Sequence, residues 1–225
     1  MDRLLVPSNH FIVIVFALLL CAGGCSNLKP GERAADMQTT APETVDGIAV
    51  WLIPMDDFNY DEAVRLARAL SADLNLKVRA TLNMGSAGLK PFAGTTQFAA
   101  EDIFAMTDNV ARNLADKRPD TAYVVLTQRD INTKDRSLRF NFSVHNRVTR
   151  VAVISTARLV INQAGGMADA PTIRKRLFKM TKRNIGDVYF GYTRSTDVRD
   201  VMYSPIMSLD DLDRMGSEYM GRQSR

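Results

Sequence analysis

Val151-Ala-Val-Ile-Ser-Thr-Ala-Arg-Leu159, then Asn184-Ile-Gly-Asp-Val-Tyr-Phe-Gly-Tyr-Thr-Arg-Ser-Thr-Asp197, then Val201-Met-Tyr-Ser-Pro205, is the stretch on which the reading of the fold turns. Its first part continues the apolar run Arg150 to Ser155 and reads as a strand. Its second part closes a long helix expected from about Pro171 to Phe190, with proline early, where its missing N–H costs nothing. Along that helix Ile173, Leu177, Met180, Ile185 and Val188 keep an apolar spacing. Arg174, Lys175, Arg176, Lys179, Lys182 and Arg183 then fall on the remaining face, expected to be the solvent side.

Working outward, Ile48-Ala-Val-Trp-Leu-Ile53, closed by Pro54, reads as a buried strand. Tyr60 to Leu74 spaces Ala63, Leu66, Ala67, Leu70 and Leu74 for an amphipathic helix behind an acid-rich first turn. Lys77 to Leu82 is a second strand, Ala100 to about Lys117 a second helix and Ala122 to Thr127 a third strand. Ser137 to Val144 and Arg150 to Ser155 suit an antiparallel pair, with His145 and Asn146 in the connection. The order β-α-β-α-β-β-β-α predicts an α+β single domain: a mixed, mainly parallel, roughly five-stranded sheet packed against helices.

The chain has 225 residues, 46% hydrophobic and 24% charged, with a net charge of +4. These values exclude collagen-like, coiled-coil and wholly disordered readings, and the mild charge is no signature of nucleic acid. Only two His and two Cys are present. If the leader takes His10 and Cys21, His145 and Cys25 remain, and the usual Cys/His zinc sets cannot be built from those two.

The Val151 strand, the Asn184 to Asp197 segment and Val201-Met-Tyr-Ser-Pro205 with Ser208-Leu-Asp-Asp-Leu-Asp-Arg-Met215 resemble the zinc-peptidase region of the metzincins, the archaemetzincin branch most. The likeness covers roughly residues 120 to 220. In that family the helix carries H-E-x-x-H-x-x-G-x-x-H: three His bind zinc, and the Glu is general base to the zinc-bound water. With Gly191 in register, those four positions hold Asn184, Ile185, Val188 and Arg194, none of which does that work. The resemblance makes Met202 the Met-turn residue, and the former substrate cleft near Tyr192 and Tyr203 the expected surface for a peptide or protein partner. It implies a metzincin-like scaffold with its catalytic residues lost, no catalytic residue of its own and no cofactor. An alternative is a divergent metal-dependent hydrolase using Asp187, Asn184 and His145.

The N-terminus has one arginine followed by the apolar run Phe11 to Leu20, the length of a signal-peptide core and short of a membrane span. Leu20-Cys-Ala-Gly-Gly-Cys25 resembles the lipobox of bacterial lipoproteins, which implies cleavage after Gly24 and acylation of Cys25. Several acyl chains hold a protein firmly to a bilayer. Ser26 favours the outer membrane, facing the periplasm, by the same resemblance. The expected organisation is a signal peptide over 1–24, lipidated Cys25 and a polar tether over 25–46, the metzincin-like domain over 47–220 and a tail over 221–225. A further alternative makes the chain a structural envelope lipoprotein whose basic helix touches anionic lipid. Of the remaining features, His145 reads as structural. Asp210, Asp211 and Asp213 lack the glycine-bearing ligand loop of a calcium site, and Ser208 reads as the cap of a last helix.

Overall fold

The computed structural model describes residues 46–162 and 164–221; Cys25 and the leader lie outside them. The main sheet is built from β1 (Ile48–Pro54), β2 (Val78–Ala80), β4 (Lys117–Thr127), β6 (Ser143–Asn146) and β7 (Val151–Ser155), in the order β2-β1-β4-β7-β6. All pairings are parallel except β6 with β7, which aligns Val144 with Val153. The short strands β3 (Gln97–Ala99) and β5 (Asp130–Asn132) form a parallel two-stranded sheet of their own, which the sequence pattern does not reveal.

Period-two alternation sorts the strands onto two cores. Val50, Leu52, Val124, Leu126, Ala152 and Ile154 face one side, with α1 (Tyr60–Leu74) and α3 (Ala170–Val188). Ile53, Val125 and Val153 face the other, with Ile103 of α2 (Ala100–Asn113). Each such side chain removed from water contributes about 1.5–3 kcal/mol, so these three strands anchor the fold. Local chemistry sets the helix starts. Asn59 accepts from the Glu62 N–H at 2.9 Å, Asp169 from the Thr172 N–H at 2.8 Å, and Ser208 from the Asp211 N–H at 3.3 Å to open α4 (Leu209–Arg214).

Three expectations are corrected. The segment from Ser137 is not a strand until Ser143, so His145 lies inside β6 rather than in a connection. The second helix ends at Asn113, and the following strand begins at Lys117, five residues before the apolar run that marked it. The basic side of α3 is not a solvated face: Arg174 and Lys175 are exposed, but Arg176, Lys179, Lys182 and Arg183 are buried. The reason is tertiary. The segment after residue 200 folds back across α3, and its polar groups meet the cations there. Arg176 pairs with Asp213 at 2.6 Å and donates to the Leu159 and Ile161 carbonyls, while Lys179 Nζ donates to the Leu212 and Asp213 carbonyls at 2.9 Å. Lys182 lies between Asp73 at 2.7 Å and Glu218 at 3.0 Å. Four of the six basic side chains of α3 are therefore turned into the protein, and Arg174 and Lys175 remain at the surface. Among the described residues no helix is long and apolar enough to cross a membrane.

Candidate functional site

The last two turns of α3 are enclosed on all sides, because residues 181 to 188 are all buried. A helix end so placed projects its polar side chains into protein, where each needs a partner. Asn184 and Val188 stand one turn apart, and Asp187 lies beside them. The chain then turns at Gly191, whose φ of +69° is a left-handed conformation that glycine adopts without strain, and brings Arg194 back toward the helix.

The centre of the site is Asp187, whose side chain is fully buried. Arg147, just past β6, donates from Nη2 to Asp187 Oδ1 at 2.9 Å and to the Tyr192 carbonyl at 2.7 Å. Arg194 Nη2 approaches Oδ2 at 2.9 Å as an ion pair whose angle falls short of a good hydrogen bond. His145 Nε2 stands 3.8 Å from Oδ1, and burial pushes its pKa down, so it is neutral near pH 7. Asn184 donates to Ser143 Oγ at 3.0 Å and to the Met180 carbonyl at 2.7 Å, leaving its buried Oδ1 without a partner. Arg183, one turn before Asp187, is only 6% exposed; burial holds its pKa down to about 10 against the raising influence of Asp187 and Asp200.

Met202 is fully buried beneath this helix end. A Cβ placed on Gly186 would stand 2.5 Å from Met202 Sδ and 2.9 Å from Tyr219 Cε1, so glycine is what allows the methionine to approach the helix this closely. Beside it, Ser195 and Tyr203 form a parallel bridge that ties the turn after α3 to the segment carrying Met202. A pocket of about 550 Å³ opens over the site, between residues 138–143 on one side and Ser204 to Met207 on the other, with Met180, Arg183 and Arg194 along it. Tyr192 and Tyr203, the expected cleft residues, do not line it. Tyr192 stacks on Phe190 at 5.0 Å, and Tyr203 packs against the core.

Three solved structures share this architecture. A zinc-dependent peptidase from Methanocorpusculum labreanum superposes with a TM-score of 0.64 at 22% identity, over 76% of this chain and 96% of that one. The fold is archaemetzincin-like. The archaemetzincin of Archaeoglobus fulgidus, complexed with malonate, gives a TM-score of 0.59 at 22% identity over 76% of this chain and 95% of that one. The archaemetzincin of Methanopyrus kandleri gives 0.59 at 19%, over 80% and 92%. No family model matches the sequence, and no curated protein matches it significantly.

An archaemetzincin-like fold implies zinc, and the residues here do not fit it. Zinc takes deprotonated sulfur, imidazole nitrogen or carboxylate oxygen as ligands. The positions aligned on Gly191 offer one amide, two aliphatic side chains and a guanidinium that is always charged. The alternative ligand set of Asp187, Asn184 and His145 does come together in part. Both carboxylate oxygens, however, already face arginines at 2.9 Å, and a further cation would enter against two fixed positive charges. The acid cluster near the C-terminus is likewise engaged, Asp213 with Arg176 and Asp211 with Ser208 and Arg214. The sequence pattern carries no sign of Arg147, sets Arg183 on a solvent face and Ser143 in a strand, and points to none of them as a site residue. The signal available was the lone acid Asp187 on a helix rich in bases, and its partner Arg147 lies 40 residues away.

Proposed function

We propose that this chain is a membrane-anchored lipoprotein whose archaemetzincin-like domain does not hydrolyse peptides and serves as a binding or scaffolding module. The observation that carries the reading is Arg194, at the third aligned ligand position, paired with a buried Asp187 that also holds Arg147, where the chemistry of a zinc peptidase would need a neutral His ligand. With no activated water, what the fold retains is a cleft. Strand β6 is the edge of the main sheet, and the Phe142 carbonyl accepts from Ser155, facing β7. By alternation Ser143 and His145 turn their backbone groups away from β7, toward the pocket side, where an extended segment can pair with them. Anchoring rests on Cys25 and the small residues before it.

The experiment is incubation of the purified full-length chain with a diverse peptide mixture, followed by mass spectrometry of bound and free fractions. The reading requires retention of intact peptides without cleavage, and loss of retention when Ile206→Arg fills the pocket. Cleavage would refute the catalytic half, and unchanged retention in the variant the cleft half. For the anchor, labelled palmitate should enter the wild type and not Cys25→Ser.

A further inference from the structure

The pocket above Asp187 has an uneven charge. Arg139, Arg183 and Arg194 line it and no acidic side chain does, while Asp187 stands behind Arg194, away from the lining. Arg183 is the telling member. Its Nη1 is buried without a hydrogen-bond partner, in a residue that is only 6% exposed and that has the charges of Asp187 and Asp200 acting on it. A buried charged donor left unpaired is costly, and among the described residues no protein acceptor reaches it. The rest of the lining is Phe140, Phe142, Met180, Pro205 and Ile206, an apolar wall too large for a bare inorganic anion to cover. The volume, about 550 Å³, lies within the ~300–1,000 Å³ usual for small-ligand sites.

We propose that the pocket lined by Arg194, one of the positions aligned with the metal ligands, is a carboxylate-binding site that takes the C-terminal residue of a peptide, with its α-carboxylate on Arg183 and Arg194 and its apolar side chain against Phe140, Met180 and Ile206. This deepens the reading of the cleft as a peptide-binding surface and rests on it. The planar guanidinium fork matches a carboxylate, and the approach along the edge strand supplies backbone pairing for the residues before it. Arg139, exposed at the rim, adds to the attraction from outside.

The test is calorimetric titration of the purified full-length chain with a pool of N-acetyl tripeptides ending in leucine, phenylalanine, methionine or valine. The same pool as C-terminal carboxamides and inorganic phosphate form the other arms. The expected result is binding of the acids, at least ten-fold weaker binding of the amides, and no competition by phosphate. Arg183→Met should lose at least ten-fold for the acids only. If that variant melts early, Arg194→Gln and rim Arg139→Gln carry the same test, with losses of several-fold. Equal binding of acids and amides would leave the peptide cleft standing and overturn the carboxylate site. Phosphate binding in place of the acids would overturn the chain-end ligand, and binding of neither pool would overturn both the site and the cleft.

Discussion

Replacing Asp187 with asparagine removes the carboxylate that pairs with Arg147 and Arg194 and whose charge also acts on Arg183, and keeps its shape. A fully desolvated charge-assisted bond is worth about 1.5–3 kcal/mol, and an exposed pair about 0.2–1 kcal/mol. Arg147 and Arg194 are 46% and 35% exposed at their side chains, so solvent screens each pair and about 1 kcal/mol apiece is the appropriate figure. Arg183 also loses a compensating charge, whereas relief of the buried carboxylate's desolvation returns part of the cost. Asp187→Asn should therefore destabilise the chain by about 2 kcal/mol in urea unfolding monitored by circular dichroism. Arg194→Met should cost about 1 kcal/mol alone, and the double variant should cost less than the sum, with a coupling of roughly 1 kcal/mol. An Asp187→Asn variant as stable as wild type, or strict additivity with Arg194→Met, would refute the ion-pair account of the site.

Other perturbations test the surrounding framework. Gly186→Ala places a methyl against Met202 and Tyr219; overpacking of about 1–3 kcal/mol outweighs the roughly 1 kcal/mol gained in helix propensity, and Met202→Ala added to it should relieve the clash in thermal melts. Arg176→Met should destabilise by about 2–4 kcal/mol, because it leaves Asp213 and two carbonyls unsatisfied, while charge reversal at exposed Arg174 and Lys175 should change stability by less than about 0.5 kcal/mol. Burial holds the Lys179 pKa down to about 8 from 10.5, so between those values the unfolded chain binds more protons than the folded one. Stability of the wild type relative to Lys179→Met should then rise with pH from about 8 to 10.5, by up to about 3 kcal/mol, and a flat difference would contradict it. Burial likewise lowers the His145 pKa below 6.5, so the wild type should lose stability relative to His145→Gln as pH falls from 6.5, in urea unfolding at pH 6.5 and 5.

Much of this architecture is written locally. The apolar runs at Ile48, Ala122 and Arg150, the helical spacing from Ala63 to Leu74 and Pro171 opening the long helix carry their structural signal within a few residues. The small sheet of β3 and β5 is three residues to a strand, too short for alternation to register. The burial of Arg176, Lys179 and Lys182 is invisible for a different reason. Helical spacing shows which residues share a face, and it is Asp213, Leu212 and Glu218, more than 30 residues onward, that make the face internal. At the candidate site the sequence shows that Asn184, Ile185, Val188 and Arg194 stand where the metzincin resemblance asks for ligands and a base. The ion-pair cluster around Asp187 depends on Arg147 reaching it from just past β6, a contact set by sheet topology.

The central claim is that the old metal position is now an arginine-carboxylate cluster, and its most direct test is elemental analysis of the purified full-length chain, with its Tm measured with and without added Zn²⁺. The account predicts zinc far below one equivalent and an unchanged Tm. Stoichiometric zinc with a raised Tm would contradict it.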